Sequence, residues 1–166
     1  MDAPNESFTH IGNISLLSLP GATAFLSSRR GSAKAALASL EWAEVRRLDA
    51  RPVIGGVHSD LEQDVLKLLL RGSCPIILVL ARALWKNLPE TLRGPVDSGR
   101  LLVVSAVPAA RRASAVTGLV RNRFVLDHAS EVVVGTLEPG GSLVTLLADY
   151  PSLPIRVFHE LPPRSQ

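Results

Sequence analysis

The sequence of 166 residues contains few aromatic side chains, little cysteine and no long apolar run. With two Trp, one Tyr and four Phe, the core must be mainly aliphatic, and strong stacking of nucleic-acid bases on aromatic rings is not expected. The single cysteine, Cys74, cannot form an internal disulfide. We expect it to be a buried, inert thiol, which fits a reducing cytoplasm.

Signals for membrane insertion or export are also missing. No apolar run approaches the roughly 20 residues that span a bilayer. The start of the chain, MDAPNESFTH, lacks the basic residues that open a signal peptide. The sequence therefore predicts a soluble, cytoplasmic protein with no membrane partner.

The charge balance is only mildly basic, with a formal net charge of +3. Of the 18 cationic residues 15 are Arg, the side chain best suited to bidentate binding of phosphate or carboxylate. A net charge this small does not by itself indicate nucleic-acid binding, so the positions of the arginines carry the argument.

Short apolar runs alternate with stretches of helical apolar spacing. The runs have strand-like lengths, and they lie at 14–19, 23–27, 52–57, 75–80, 101–107, 131–137 and 155–160. Helices are predicted between them, including 33–48 after a Ser32 cap and 61–70 after a Ser59 or Asp60 cap. The alternation predicts a three-layer, Rossmann-like α/β fold with a mostly parallel sheet and helices on both faces.

The chain reads as one domain over 14–160, preceded by an N-terminal segment at 1–13 and followed by a flexible tail at 161–166. A short helix with turns is expected within 85–99, where two Pro and two Gly interrupt the pattern. Ligands of such sheets bind beyond the carboxyl ends of the strands, so the loops that follow strands are the places to search.

Two of these loops are short and polar. The first, Ser27, Ser28 and Arg29 with Arg30, places hydroxyl and cationic groups before a helix N-terminus, which suits an anion as well as a simple capped helix. In the second, Gly55 and Gly56 permit close backbone approach by a ligand or a neighbouring helix. His58 follows them and is either a ligand contact or a hydrogen-bonding bystander.

The third loop contains more candidate phosphate-binding groups than the other two. Its sequence is EPGGSLVTLL, and Glu138, Gly140, Gly141, Ser142 and Thr145 are its candidate residues. Backbone amides of the second Gly and the Ser, with the two hydroxyls, can together hold a phosphate. No Lys follows as it does in nucleoside-triphosphatase P-loops.

A basic turn, Arg121-Asn122-Arg123, stands just upstream, before a helix and a buried strand. In a helix the two arginines would point in different directions, so only one is expected to face the cleft. A solvated basic turn is the competing interpretation.

The stretch RNRFVLDHASEVVVGTLEPGGSLVTLLAD resembles the Smf/DprA family, the DNA-processing proteins of natural transformation. The residues that match the family pattern are Arg121, Asn122, Arg123, Ser130, Val132 to Val134, Glu138, Gly141, Ser142, Leu143 and Thr145. Gly140 stands at the family's first loop serine, and the polar signature of the second loop is largely lost around Gly55 to Leu61. The resemblance runs in order over about residues 20 to 160 and identifies a short, divergent, stand-alone Rossmann-like domain.

The resemblance implies phosphates of single-stranded DNA or a nucleotide as ligand, a RecA-type recombinase as a possible partner, a possible homodimer, and a role in DNA uptake and recombination. It implies no catalytic residue, metal or cofactor. Two alternatives stay open: a phosphoribohydrolase of the LOG type, for which Glu138 is the only acidic residue in the phosphate loop, and a nucleotide-sensing scaffold without DNA function.

Overall fold

A computed structural model describes residues 7–165 as alternating strands and helices. The seven strands are β1 (Thr9–Gly12), β2 (Thr23–Leu26), β3 (Val53–Gly55), β4 (Ile76–Leu80), β5 (Leu101–Ser105), β6 (Glu131–Leu137) and β7 (Ile155–Glu160). The helices are α1 (Ala33–Arg46), α2 (Asp60–Leu70), α3 (Glu90–Asp97), α4 (Ala115–Asp127) and α5 (Ser142–Leu147), with a 3₁₀ helix at Ile14–Ser18.

The strands form one sheet in the order β1-β5-β4-β3-β2-β6-β7. Every neighbouring pair is parallel except β1 and β5, which pair antiparallel. Going outward from β2, one direction leads through β3, β4 and β5 and the other through β6 and β7, so the chain reverses its direction of growth at β2. This reversal opens a crevice beyond the carboxyl ends of β2, β3 and β6.

Alternate side chains of the central strands enter two separate cores. Ala24, Leu26 and Val134 face α4 and α5 in one core. Phe25, Val133 and Leu78 face α1 and α2 in the other. Both faces of the sheet are therefore covered by helices, which accounts for strands that are apolar at nearly every position. The predicted three-layer, mostly parallel α/β fold is confirmed.

Helix caps and the lone thiol occupy the expected places. Ser32 caps α1 through the amide of Ala35, and Ser59 rather than Asp60 caps α2 through the amide of Glu62. The predicted short helix within 85–99 is α3. Cys74 is fully buried just before β4, and burial raises the pKa of its thiol.

Three details differ from the sequence-based expectations. The apolar run 14–19 forms a 3₁₀ helix, because the side chain of Asn13 caps it and only Leu16 is buried. Residues 9–12, expected in the N-terminal segment, pair with β5 as β1. Arg121-Asn122-Arg123 lies inside α4 rather than in a turn before a helix, since α4 begins at the cap Ser114.

The expected segment at 1–13 begins with six residues that lie outside the described part of the chain. At the other end, Leu161 is buried, and its amide donates to the carbonyl of Leu137. Among the described helices none has the length and hydropathy needed to cross a membrane.

Candidate functional site

A cleft of about 440 Å³ lies beyond the carboxyl ends of β2, β3 and β6. Its floor and walls come from the loops after these strands, from the start of α2 and α5, and from the first two turns of α4. The lining residues include Ser27, Ser28, Arg29, His58, Glu62, Ser114, Ala115, Gly118, Leu119, Arg121, Asn122, Glu138, Gly141, Ser142 and Leu143. The topology of the sheet brings these segments together from positions more than a hundred residues apart in the chain.

Glu62 lies at the cleft floor and accepts hydrogen bonds from two loops. Its side chain is buried, with 3% of its surface exposed. One carboxylate oxygen accepts hydrogen bonds from the amide of Ser27 (3.3 Å) and the hydroxyl of Ser59 (3.2 Å), and the other accepts from the amide of His58 (3.3 Å). One carboxylate therefore ties the loop after β2 to the loop after β3.

Arg121 reaches the same floor from α4. Its Nη1 lies 3.9 Å from Oε1 of Glu62, and its side chain is also only 3% exposed. Gly56 makes room for the guanidinium, since a Cβ at this position would overlap Nη1. The Arg121 Nε and the Asn122 Oδ1 are buried without a hydrogen-bond partner in the described part of the protein. They are a donor and an acceptor left free at the wall of the cleft.

Burial shapes the ionisation of this pair. Loss of hydration raises the pKa of Glu62, while Arg121 and the three donated hydrogen bonds oppose that rise. Loss of hydration also lowers the pKa of Arg121, and the charge of Glu62 opposes it. Because each group is the nearest opposite charge of the other, they form a mutually compensated ion pair.

Arg29 and His58 connect the floor to the cleft mouth. The Nε and Nη2 of Arg29 lie 2.9 and 2.6 Å from Nε2 of His58, so the imidazole accepts from the guanidinium. Partial burial, then Arg121, then Arg29 lower the pKa of His58 below its ordinary 6.5. A neutral imidazole at neutral pH fits this acceptor role.

Glu138 is held by cations at the mouth. Its Oε1 lies 2.7 Å from Nε of Arg164 and 3.7 Å from Nη1 of Arg30. Its amide donates to the hydroxyl of Ser28 at 3.2 Å, which fixes the start of the glycine loop against the first loop.

The glycine loop turns sharply into α5. Gly140 has a φ of +73°, a conformation that glycine adopts without strain. The amide of Gly141 closes the turn by donating to the carbonyl of Glu138 at 3.1 Å. No side chain caps α5, and Ser142 at its start lines the cleft. The hydroxyl of Thr145 points back to the carbonyl of Gly141 at 3.5 Å and does not line the cleft.

The predicted site residues thus separate into two groups. Those that line the cleft are Ser27, Ser28, Arg29, Arg121, Asn122, Glu138, Gly141 and Ser142. Those outside its lining are Gly55, Gly56, Arg123, Gly140 and Thr145. Arg123 points to the opposite side of α4 and pairs with Asp149 at 2.9 Å. Gly55 approaches the backbone of β2, and Gly56 contributes indirectly by accommodating Arg121.

Several cleft residues were not predicted from the sequence. Glu62, the cap residue Ser114 and the α4 residues Ala115, Gly118 and Leu119 belong to this group. The spacing of Ser59 and Glu62 is the signature of a capping box, which marks a helix start and does not reveal that the carboxylate also serves two other loops.

Exposed arginines also lie in segments that follow strands at this edge of the sheet. Arg111 and Arg112 are exposed in the loop that leads to Ser114, and Arg29 and Arg82 follow β2 and β4. None of these four has an acidic partner among the described residues, whereas Arg46, Arg47 and Arg51 at the other edge pair with Glu44 or Asp49. Of these four, Arg29 lines the cleft itself, and Arg111 and Arg112 precede its lining residue Ser114 by three and two positions. No cluster of potential metal ligands occurs in residues 7–165.

The sequence matches no protein-family model and no curated protein. The fold, however, is similar to that of solved structures of DNA processing protein A. One, from Helicobacter pylori and described for its single-stranded DNA binding mode, aligns with a TM-score of 0.74 and 17% identity over 99% of this chain and 75% of that chain. Another, from Streptococcus pneumoniae, aligns with a TM-score of 0.61 and 17% identity over 90% of this chain and 62% of that chain. The chain thus spans less than two thirds of the length of the second protein. The predicted resemblance to the DprA fold is confirmed.

Proposed function

We propose that this protein binds the phosphates of single-stranded DNA, or of a nucleotide, at the cleft beyond β2, β3 and β6. A role in DNA uptake and recombination, a RecA-type recombinase as partner and a homodimer belong to the same proposal. The observation that carries it is the meeting, in one cleft, of a polar glycine loop with Arg29, which has no acidic partner in the described part of the chain. The H. pylori protein with the similar fold binds single-stranded DNA.

Both the mouth and the interior of the cleft offer groups that suit a phosphate. Arg29, Arg111 and Arg112 can approach a phosphate backbone from outside, where each neutralised phosphate releases counterions. The amide and hydroxyl of Ser142 offer donors to one phosphate oxygen within the cleft. Aliphatic side chains such as Leu119, which is 41% exposed, supply an apolar surface for a base in place of aromatic rings.

Glycosidic-bond cleavage, the alternative, needs a carboxylate that can reach the sugar. Glu138 is engaged by Arg164 and Arg30, and Glu62 is buried beneath three hydrogen-bond donors. The geometry therefore favours binding over catalysis. Incubation with AMP followed by chromatography should give no adenine, and adenine release that Glu138→Gln abolishes would support the alternative.

The binding proposal is tested with a labelled oligothymidylate by fluorescence anisotropy at several salt concentrations. The wild-type protein should bind with an affinity that falls steeply with salt. Combined Arg29→Ala, Arg111→Ala and Arg112→Ala changes should weaken binding and make the salt slope shallower by about 2, since each phosphate contact to a single strand contributes about 0.7.

Arg71→Ala is the matched control. Arg71 is exposed at the end of α2, on the opposite edge of the sheet, and has no acidic partner among residues 7–165. Its loss should leave the salt slope unchanged. Binding that is absent at low salt, or that Arg71→Ala weakens as much as the triple change does, would contradict the proposal.

A further inference from the structure

The cleft holds a charged pair that the binding proposal does not use. Arg121 is the cation nearest the floor, yet its guanidinium faces the Glu62 carboxylate at 3.9 Å, and both side chains are 97% removed from solvent. Sequence reasoning alone makes Arg121 a phosphate ligand. In the structure, Arg121 instead pairs with the Glu62 carboxylate of the same chain.

Hydrogen bonds hold both carboxylate oxygens of Glu62 in this arrangement. Its two oxygens already accept from Ser27, His58 and Ser59, three groups in the loops after β2 and β3. Gly56 leaves the guanidinium space that any larger residue would fill. An exposed ion pair could separate to admit a ligand at little cost, but a buried pair with these additional bonds keeps its geometry.

We propose that Glu62 is a positioning residue that fixes Arg121 at the cleft floor and cancels its charge, so that a nucleic-acid phosphate is attracted by the arginines of the mouth. This inference rests on the proposed function. The paired floor contributes no net charge, and its polar atoms without a hydrogen-bond partner among the described residues are the Nε–H of Arg121 and the Oδ1 of Asn122. Those two groups suit a neutral, hydrogen-bonding part of the ligand better than a second phosphate.

A purely structural Glu62 and a charge-compensating Glu62 predict opposite results for Glu62→Gln. The amide retains the volume and an acceptor oxygen but leaves Arg121 as an uncompensated cation in the cleft. We expect tighter binding of a labelled oligothymidylate and a salt slope steeper by about 0.7, which corresponds to about fivefold higher affinity near 0.1 M salt. A structural role alone would leave the slope unchanged and weaken binding through loss of fold.

Two further variants complete a charge series. Arg121→Gln leaves the negative Glu62 in the floor, so binding should weaken and the slope should become shallower. The double variant E62Q/R121Q replaces one neutral pair by another and should bind like the wild type. This double variant also serves where a single variant fails to fold, because it leaves no unpaired buried charge.

The outcomes discriminate between the alternatives. If E62Q/R121Q loses as much affinity as Arg121→Gln, Arg121 itself binds phosphate and the inference is overturned. Equal affinity and slope for a folded Glu62→Gln would overturn it as well. If the wild-type protein binds no oligonucleotide, the proposed function fails, and the same series is then titrated with inorganic phosphate by thermal shift. A larger stabilisation of Glu62→Gln than of the wild type would support the compensation, and an equal one would contradict it.

Discussion

At the scale of single residues, the cleft depends on the absence of a side chain at position 56. The glycine there has no positive φ, so backbone freedom is not the reason for its presence. The Arg121 guanidinium occupies the space where a Cβ would stand, and that guanidinium is held in the buried pair with Glu62. The sequence shows Gly55-Gly56 as a pair, but it cannot show which of the two serves a partner more than 60 residues away.

Gly56→Ala should therefore destabilise the protein. The added methyl group forces the Arg121 guanidinium away from Glu62, and overpacking of this kind costs about 1–3 kcal/mol. Urea unfolding followed by circular dichroism measures the change in the free energy of unfolding.

Gly31→Ala is the matched control, because nothing lies within 4 Å of a Cβ at position 31 and its φ is not positive. The two variants should differ by at least about 1 kcal/mol. Equal stabilities would show that the guanidinium moves without cost, and the packing argument would then be wrong.

At the scale of elements, α4 carries the cleft wall, and its start is fixed by a reciprocal cap. The hydroxyl of Ser114 accepts from the amide of Thr117 at 3.2 Å, and the hydroxyl of Thr117 accepts from the amide of Ser114 at 2.8 Å. Within α4, Arg121 points inward to Glu62 and Arg123 points outward to Asp149. Helical geometry predicts that only one arginine faces the cleft, but the basic turn expected at 121–123 is wrong because α4 starts six residues earlier, at Ala115.

Ser114→Ala should lower the free energy of unfolding by about 1 kcal/mol, the usual cost of losing an N-cap hydroxyl. The effect is measured by urea unfolding. Ser152→Ala is the control, since Ser152 is exposed in a loop and makes no side-chain hydrogen bond within the described residues. A loss for Ser114→Ala no larger than that for Ser152→Ala would contradict the capping role.

At the scale of the whole molecule, the sheet has a protected centre and two exposed edges. β4 and β5 are buried along their full lengths, whereas β1 and β7 are exposed or half-buried at every position. Hydrogen exchange followed by NMR should find the slowest amides in β4 and β5 and much faster exchange in β7. Equal protection of β7 would indicate that another surface covers this edge in solution.

The fold could be predicted from the sequence because its signal is repeated: six of seven apolar runs became strands, and serine caps marked α1 and α2. The strand predicted at 14–19 is a 3₁₀ helix in the structure. The side chain of Asn13 caps this helix, and its capping preference outweighs the apolar composition of the five residues that follow. The cleft residues in the loops after β2 and β6 could be predicted, because ligands of such sheets bind beyond the carboxyl ends of the strands. Glu62 could not, since its contacts with Ser27 and Arg121 exist only once the sheet order brings the loops after β2 and β3 next to α4.

The burial of Cys74 has a practical consequence for studying this molecule. The only thiol of the chain is fully covered beside β4, and its raised pKa keeps it in the unreactive protonated form. A new cysteine introduced at an exposed position such as Ala115 can therefore be labelled selectively without removing the native one. A fluorophore at that position would stand at the cleft wall and report directly on the arrival of a ligand.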